Sequence, residues 1–218
     1  MAATLTTRGR ETRQRIIEAT GQQILAGGIG GTTLDGVRAA TLTSKSQLFH
    51  YFPGGKTELV REVAAWEGQQ LLDAQLPWLD DLSTWESWHA WRDALVDYYL
   101  RLGRWACPIG SLAWEAAATD PALAGFVADA MRLWRGKLAD GIRRMSEAGH
   151  LEAGVDADRM AAAILAAVQG GLMLSQPERS SWPLEAALDS LLDVLRSRTL
   201  PEHVDAERSV SSLKQDAP

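Results

Sequence analysis

The chain has 218 residues, 46% of them hydrophobic, and this length and apolar content allow one large or two small domains with a buried core. It holds no run of 18 apolar residues, and its N-terminal arginines, Arg8 to Arg15, precede no apolar stretch, so we expect neither a membrane span nor a signal peptide. A single cysteine, Cys107, excludes intrachain disulfides and cysteine zinc clusters, and we expect a cytoplasmic protein without a cofactor.

The charge is divided unevenly along the chain. The net charge is −6, yet residues 1–60 hold seven Lys/Arg against four Asp/Glu, so this segment is positive and the remainder is strongly negative. A basic head on an acidic body is typical of a protein that presents one face to phosphates and keeps the rest away from them.

Strand patterns are scarce, and Ala, Leu, Arg and Glu dominate, so we predict an all-α protein. Proline and glycine pairs divide the apolar periodicity into segments. The predicted helices span residues 9–27, 34–40, 44–51, 56–76, 85–104, 110–118, 121–148, 156–175 and 184–198.

The predicted organisation is an N-terminal three-helix head and a C-terminal helical bundle. The head comprises residues 1–55, followed by a connecting helix at 56–77. A body at 78–200 is assigned to ligand binding and dimerisation. The polar segment 201–218 is expected to be a mobile tail.

Residues 33–59 carry the most specific pattern in the chain. Leu34, Val37 and Ala40 keep helical spacing, Leu42 falls in a turn, and Leu48 and Phe49 follow on the next helix. This layout predicts a helix-turn-helix, whose second helix is offered to a DNA major groove. Leu48, Phe49 and Phe52 are expected in the core.

The segment from Arg10 to Leu59 resembles the DNA-binding domain of the TetR family of bacterial transcriptional regulators. The resemblance is carried by the Ala39-Ala40 pair, by the string Ser44 to Phe52 and by Lys56 after Pro-Gly-Gly. Thr41-Leu42 stands where the family usually has Gly-Val, which puts a β-branched residue in a tight turn often served by glycine. The resemblance implies a homodimer that binds a palindromic operator.

Polar side chains at the start of the second helix are the candidates for DNA contact. Lys45 and Gln47 are expected to read base edges, since Lys can donate to guanine and Gln can pair with adenine. Ser44 is also left facing outward at the helix start. By match to family positions, further contacts are expected from Thr33, Thr43, Ser46, His50, Tyr51 and Lys56.

Nine tryptophans are unusual for this length, and seven of them follow residue 80. Pockets for organic ligands are mostly apolar and aromatic, with a few polar groups that orient the ligand. The alternative is that these rings pack the core or an interface. The candidate ligand-binding residues are Trp88, Tyr98, Trp105, Ser111, Trp114, Phe126, Met131, Trp134, Gln169 and Met173.

The last two helices carry apolar faces that predict a dimer interface formed by four helices from two copies. Covering the body's own core is the alternative. The candidate interface residues are Ala163, Ala167, Leu174, Leu184, Leu188, Leu191, Leu192 and Leu195.

No catalytic or metal-binding constellation emerges from the remaining residues. The four histidines lack ligand spacing with one another or with Cys107, and Ser111 lacks a nucleophile elbow. The segment Cys107 to Leu112 resembles a motif of the LmrA-like subgroup of the TetR family. Cys107 is either a redox-sensing thiol or, as we favour, a small buried residue.

The sequence therefore predicts a repressor that binds a palindromic DNA operator as a homodimer and is released by a small, mostly apolar organic ligand. The protein is not expected to be an enzyme or to bind a membrane. Two alternatives stay open: a regulator without a small-molecule ligand that acts with a protein partner, and a helical small-molecule-binding protein.

Overall fold

The computed structural model describes residues 5–103, 105–107, 109–112, 115, 120–152 and 154–199. Helices account for most of this part of the chain, and it contains no β-strand. The helices are α1 (Thr7–Gly31), α2 (Leu34–Thr41), α3 (Lys45–Tyr51), α4 (Gly55–Asp73), α5 (Trp85–Leu102), α6 (Pro121–Glu147), α7 (Ala157–Glu178) and α8 (Trp182–Arg196), with a short 3₁₀ turn at Trp78–Asp80. The prediction of an all-α fold is confirmed.

Short polar side chains determine where several helices begin. Each accepts a hydrogen bond from a backbone N–H of the first turn, which would otherwise have no partner. The residues that cap helices in this way are Thr6, Thr33, Ser44, Thr84 and Asp156.

The predicted helix bounds agree with the structure to within a few residues, with one difference in how a helix ends. Helix α7 continues through Pro177 to Glu178 instead of ending before the proline. A proline there removes only one backbone hydrogen bond of the last turns, whereas in mid-helix it disrupts the helix. Of the predicted helix at 110–118, residues 110–112 and 115 are helical and the others lie outside the described residues, as does the predicted tail at 201–218.

The chain forms two compact units that do not follow the linear order of the sequence. The first comprises residues 1–71 and 108–130, and the second comprises 72–107 and 131–218. The described residues of segment 108–130, a segment that was predicted to belong to the body, thus group with the N-terminal helices. The division of function between head and body remains a prediction.

The core of the first unit follows the predicted helical periodicity. Ile16, Thr20 and Ile24 lie on one face of α1 and are buried. Val37 of α2 and Leu48 of α3 are fully buried. These residues place α1, α2 and α3 around one apolar centre, as the head prediction requires.

Three details of the head differ from the prediction. Ala40 is exposed, and Thr41 takes the buried position because its hydroxyl is satisfied by donating to the Val37 carbonyl oxygen, at 2.7 Å. Phe49 is 39% exposed rather than in the core. The left-handed residue of the turn is Leu42, at φ 54°, so the β-branched Thr41 is helical and unstrained.

In the second unit, α7 and α8 pack closely side by side. A Cβ atom on Gly171 would lie 2.7 Å from the Cα atom of Leu184, so only glycine permits this approach. Leu184, Leu188, Leu192 and Leu195 of α8 are buried within the single chain.

Those four leucines were predicted dimer contacts, but they serve the chain's own core. A second copy could reach them only if α7 and α8 separated. These four leucines therefore follow the alternative interpretation, and the predicted dimer interface as a whole stays a prediction.

An ion-pair cluster joins α5 to α8. The Arg92 guanidinium donates to both carboxylate oxygens of Asp189, at 2.8 Å each, and to Glu185 at 3.2 Å. Burial lowers the pKa of Arg92, but the hydrogen bonds and charge of its acidic partners outweigh burial and raise that pKa above its ordinary value. Arg92 thus stays charged and fixes the first turns of α8.

By length and composition, α7 is the one helix among the described residues that could cross a membrane. This is weak evidence, because the core helix of a soluble protein passes the same test. Helix α7 packs against α8, and part of its surface is buried there.

Candidate nucleic-acid interface and indole cluster

The second helix of the helix-turn-helix is short, and its N-terminus is stabilised by a capping box. The Ser44 hydroxyl accepts from the Gln47 N–H at 3.1 Å, and the Gln47 side-chain oxygen accepts from the Ser44 N–H at 2.9 Å. This reciprocal pair satisfies two backbone donors that a seven-residue helix leaves open. Helix α3 is thereby held rigid at the end that the motif offers to DNA.

An exposed polar row follows from this geometry. Ser44, Lys45, Ser46, Gln47 and His50 are all exposed. Lys45 is the first residue of α3, where a cationic side chain reaches outward from the helix start. The row combines one cation with hydroxyl and amide donors, which are the groups that contact phosphates and base edges.

Thr43 lies outside this row. It is buried, and its hydroxyl is 2.8 Å from the Thr41 hydroxyl. A buried hydroxyl cannot reach a DNA phosphate, so the predicted DNA contact of Thr43 is wrong. Its hydroxyl stabilises the turn instead. The two threonines flank Leu42 in the turn where Thr41-Leu42 takes the place of the Gly-Val that the resemblance leads us to expect.

The other predicted phosphate contacts differ in how exposed their side chains are. Thr33 is exposed, but its hydroxyl caps α2 by accepting from the Gly36 N–H at 3.1 Å. Tyr51 is half-buried, with its ring edge against His50. Lys56 is half-buried in the first turn of α4.

The start of α4 already holds an anionic group. The Glu58 carboxylate accepts from the Gly54 N–H at 2.7 Å. A phosphate at Lys56 would have to share this helix start with that carboxylate, so the predicted Lys56 contact stays a prediction.

The end of α1 is held by a residue from a distant part of the first unit. Helix geometry breaks at Gly28, which has φ 71°. The Glu115 carboxylate accepts from the Ile29 N–H at 2.7 Å and the Gly30 N–H at 3.3 Å. No local sequence pattern links Glu115 to residue 29, so only the tertiary structure shows this contact.

An ion pair joins Asp120, five residues after Glu115, to Arg61 of α4. Arg61 donates to both carboxylate oxygens of Asp120, at 3.1 and 3.0 Å. Asp120 also caps α6 by accepting from the Ala122 and Leu123 N–H groups. Desolvation raises the pKa of Asp120, but the N–H of Leu123, the Arg61 guanidinium and the N–H of Ala122 together hold it below its ordinary value.

In the second unit, the predicted ligand residues are mostly buried. Trp88, Tyr98, Trp105 and Trp134 are buried, and Met131 and Gln169 are half-buried. Met173 is 70% exposed, which removes it from any enclosed pocket. Ser111, which is exposed, and Phe126, half-buried, belong to the first unit, and Trp114 lies outside the described residues.

Three of the buried side chains share one polar centre. The fully buried Gln75 accepts hydrogen bonds from the indole N–H of Trp91 at 2.7 Å and of Trp134 at 3.0 Å through its side-chain oxygen. Trp88 packs edge-on against Trp91, with 5.6 Å between ring centroids. The sequence analysis did not select Gln75 or Trp91. An isolated glutamine in a loop has no distinguishing pattern, and nothing in the sequence separates Trp91 from the other tryptophans of the body.

The indoles therefore differ in what they can offer a ligand. Trp91 and Trp134 already donate to Gln75. Within the described part of the chain, the buried Nε1 of Trp88 and the buried Nε2 of Gln169 have no hydrogen-bond partner. Buried donors are usually satisfied, so these two atoms are candidates for a ligand's acceptor groups.

Cys107 is buried, in accordance with the interpretation of it as a small core residue. Neither its redox role nor membership of the LmrA-like subgroup is tested by the geometry. The redox-sensing alternative for Cys107 stays open, and membership of the LmrA-like subgroup remains a prediction.

Comparison with known proteins gives one consistent result. Residues 86–191 match the family model described as tetracyclin repressor-like, C-terminal domain. The chain is 23% identical over 205 residues to the uncharacterised HTH-type transcriptional regulator YxaF of Bacillus subtilis, covering 89% of this chain and all of that protein.

Solved structures show the same fold at low sequence identity. A TetR transcriptional regulator from Chloroflexus aurantiacus superposes with a TM-score of 0.78 at 24% identity, over 89% of this chain and 98% of that one. A TetR-family regulator from Cytophaga hutchinsonii gives 0.73 at 19% identity, over 90% and 99%. The regulatory protein TetR from Rhodobacter sphaeroides gives 0.75 at 18%, over 84% and 97%.

Proposed function

Because the C-terminal part of the chain matches the tetracyclin repressor-like model and the whole chain is similar to an HTH-type transcriptional regulator, we propose that it is a TetR-family regulator that acts as a ligand-released repressor. In this proposal a homodimer binds a palindromic operator through residues 1–60. Binding of a small, mostly apolar molecule in the second unit then lowers the affinity for DNA. The protein works in the cytoplasm, where the operator is.

The observation that carries the proposal is the capped helix α3 with its exposed row Ser44, Lys45, Ser46, Gln47 and His50. The capping box holds the helix start rigid, so these side chains need little ordering when they meet a major groove. The positive charge of residues 1–60 adds the sequence-independent attraction to phosphates.

A homodimer is supported by the surface of α7 and α8. Met173 and Trp182 are each about 70% exposed, and Leu174 is 52% exposed. Large contiguous apolar side chains on a surface mark an interaction site more often than a solvated face. A two-fold dimer presents two α3 helices, and its symmetry requires a palindromic site.

The chemistry of the ligand is suggested by the buried indoles. Trp88, Trp105 and Trp134 provide apolar, aromatic surface, and the partnerless Nε1 of Trp88 and Nε2 of Gln169 provide donors. A matching molecule has ring or hydrocarbon surface and at least one hydrogen-bond acceptor, such as a carbonyl oxygen. Aromatic stacking and apolar burial would supply most of its affinity.

Release of DNA requires a difference in affinity between two states. The ligand must bind the state that does not fit the operator more tightly than the state that does. A coupling free energy of about 1–3 kcal/mol, or roughly 5- to 150-fold in affinity, is typical of such regulators.

The DNA half of the proposal is tested by selecting operators from genomic fragments with immobilised protein. We expect enrichment of a short palindrome, and we expect Lys45→Ala to lose most of that enrichment. Arg135→Ala, which removes an exposed cation from α6, is the matched control. Fragments without two-fold symmetry, or equal enrichment by Lys45→Ala, would contradict the proposed operator or the proposed reading helix.

The ligand half is tested by tryptophan emission. A panel of apolar aromatic compounds with acceptor groups should contain a member that changes the emission and also weakens operator binding. If compounds that change the emission never alter DNA affinity, the regulator acts without a small-molecule ligand, and a protein partner becomes the leading account.

A further inference from the structure

Two arginines in the first turn of α1 lie on the surface of the first unit. Arg8 and Arg10 are exposed, and this turn holds no acidic residue. Cations near a helix N-terminus are unfavourable, because the backbone N–H groups there already carry partial positive charge. Helix stability therefore does not account for this placement, whereas a nearby anion would relieve the repulsion.

The two arginines differ in what they contact. Arg10 donates from Nη1 to the Leu5 carbonyl oxygen at 2.9 Å and from Nη2 to the Thr7 hydroxyl at 3.2 Å. These bonds hold the backbone that precedes the helix against its first turn. The Arg8 guanidinium makes no hydrogen bond and no ion pair with any residue that the structure describes. Arg8 is thus available to bind an anion, while Arg10 orders the backbone beside it.

The first turn of α1 packs beside the end of α3. Gly9 is buried, and a Cβ atom there would lie 3.5 Å from the hydroxyl oxygen of Tyr51, the last residue of α3. Because Gly9 is the neighbour of Arg8 in the chain, this packing brings Arg8 close to the C-terminal end of α3.

The next arginine along α1 shows the contrast with Arg8. The Arg13 guanidinium lies 2.6 Å from the Glu62 carboxylate and covers the ring of Phe52, 5.1 Å from its centroid. Arg13 is therefore paired within the fold and serves the packing of α1 on α4. Arg8 keeps its charge available at the surface.

Helix α3 consequently has an available cation near each end. Lys45 is its first residue, is exposed, and makes no ion pair with the described residues. The seven residues of α3 extend for about 10 Å, and the major groove of DNA is about 12 Å wide. A helix of this length in the groove brings groups at its two ends near the phosphates that border the groove.

We infer that Arg8 binds a backbone phosphate of the operator, at a different position from the phosphates beside the bases that Lys45 and Gln47 are predicted to read. This inference rests on the proposed DNA binding and adds a contact from α1, outside the helix-turn-helix. A guanidinium suits this role because it donates two parallel hydrogen bonds to one phosphate. A phosphate contact raises affinity but carries no base preference of its own.

The salt dependence of operator binding tests the charge of Arg8. Arg8→Ala in the full-length protein should keep the parent's melting temperature, since the guanidinium has no described partner. Its operator affinity should fall by about twofold to thirtyfold, because a homodimer loses two exposed ion pairs. The slope of log affinity against log salt should become shallower by about 1.8, at about 0.9 for each phosphate.

Two matched variants control for net charge and for the guanidinium. Arg15→Ala removes an exposed cation without a described partner, about 10 Å further along α1, and should leave the slope unchanged near 0.1 M salt, where charges about 10 Å apart are largely screened. Arg8→Lys keeps the charge and should keep the parent's slope. All three variants should select the same palindrome as the parent.

A scan with neutral linkages locates the contact. Operator duplexes are made with a single methylphosphonate in each half-site, moved one position at a time. We expect one linkage at which neutralisation weakens binding of the parent but not of Arg8→Ala. A second linkage, sensitive in the parent and in Arg8→Ala but not in Lys45→Ala, should mark the phosphate at the other end of α3.

The outcomes separate this contact from the proposed function. An Arg8→Ala slope equal to the parent's, an Arg15→Ala slope as shallow as that of Arg8→Ala, or a scan without a linkage specific to Arg8 overturns the contact and leaves DNA binding intact. A parent protein that binds no duplex removes the proposed function and this contact with it.

Discussion

The Glu115 carboxylate accepts a hydrogen bond from the Ile29 N–H at 2.7 Å, across 86 positions of the chain. The contact lies where α1 breaks at Gly28, and a Cβ atom there would approach a Glu115 oxygen to 2.7 Å. Thr33, the cap of α2, follows Ile29 by four residues. The carboxylate therefore fixes the backbone that leads into the helix-turn-helix. A residue outside residues 1–60 thus contributes to the geometry of the helix-turn-helix.

Replacing Glu115 by Gln should lower the free energy of unfolding by about 1–2 kcal/mol, since hydrogen bonds to charged groups contribute more than neutral ones. Glu115→Ala should cost more, because both N–H groups lose their partner. Chemical denaturation measures both, and Glu11→Ala, which removes an exposed carboxylate from α1, is the control. Equal stability of Glu115→Gln and the parent would show that the carboxylate charge contributes nothing at this turn.

Leu42 should be replaceable with a gain in stability. It is 92% exposed and adopts φ 54°, a conformation that costs an L-residue with a bulky side chain about 1–2 kcal/mol. Asn tolerates this region without the extra unfolded-state entropy of Gly, so Leu42→Asn should raise the free energy of unfolding by about 0.5–1 kcal/mol. Leu133→Asn, at an exposed helical position, should not raise it. A destabilised Leu42→Asn protein would contradict the strain at this turn.

Gln47 has two roles that substitution can separate. Its oxygen accepts from the Ser44 N–H, so only its NH₂ group is free to meet DNA in this conformation. Gln47→Glu keeps the acceptor and removes the donor, whereas Gln47→Ala removes both. We expect Gln47→Glu to retain stability but to lose preference at one base position, about 1–3 kcal/mol of discrimination, in a binding-site selection. Unchanged base preference would exclude Gln47 as a reader.

Gln75 should be essential to the second unit. Gln75→Leu leaves the indole N–H groups of Trp91 and Trp134 buried without their acceptor, at about 1–3 kcal/mol each. Near-ultraviolet circular dichroism and denaturation should both report the loss, and Gln22→Leu, an exposed glutamine of α1, is the control. Combining Gln75→Leu with Trp91→Phe should cost less than the two changes added together, because the pair shares one hydrogen bond.

The contribution of Asp120 should depend on pH. Its pKa is lower in the folded chain than its ordinary value, so the stabilisation is present above that ordinary value and is lost as the pH falls through the folded pKa. Asp120→Asn should therefore melt at a lower temperature than the parent near pH 6, and the difference should shrink as the pH falls toward about 3. A difference that stays constant over this range would show that the charge of the Asp120 carboxylate, held by the Leu123 N–H, Arg61 and the Ala122 N–H, contributes nothing to stability.

Much of this protein could be read from local pattern. The periodicity of Ile16, Thr20 and Ile24, the Ser44 cap and the Leu48 position determine short helices whose boundaries depend on neighbours in the chain. Those local preferences sufficed for the all-α fold, the helix-turn-helix and the exposed row of α3. The tryptophans of the body predicted a ligand pocket and left open the alternative that the rings pack the core, so composition alone did not decide between the two.

Tertiary packing decided the rest, because it joins residues that no spacing rule connects. The helical spacing of the leucines on α8 suits a partner's surface and the chain's own core equally well. Only the packing of α8 on α7 shows that Leu188 and Leu192 are buried in the core of the single chain. The Gln75 side chain accepts a hydrogen bond from Trp134, which is 59 positions away in the sequence. The Glu115 carboxylate accepts one from Ile29, which is 86 positions away. A helix repeat specifies which face is apolar, whereas the neighbour that covers that face depends on how the helices assemble.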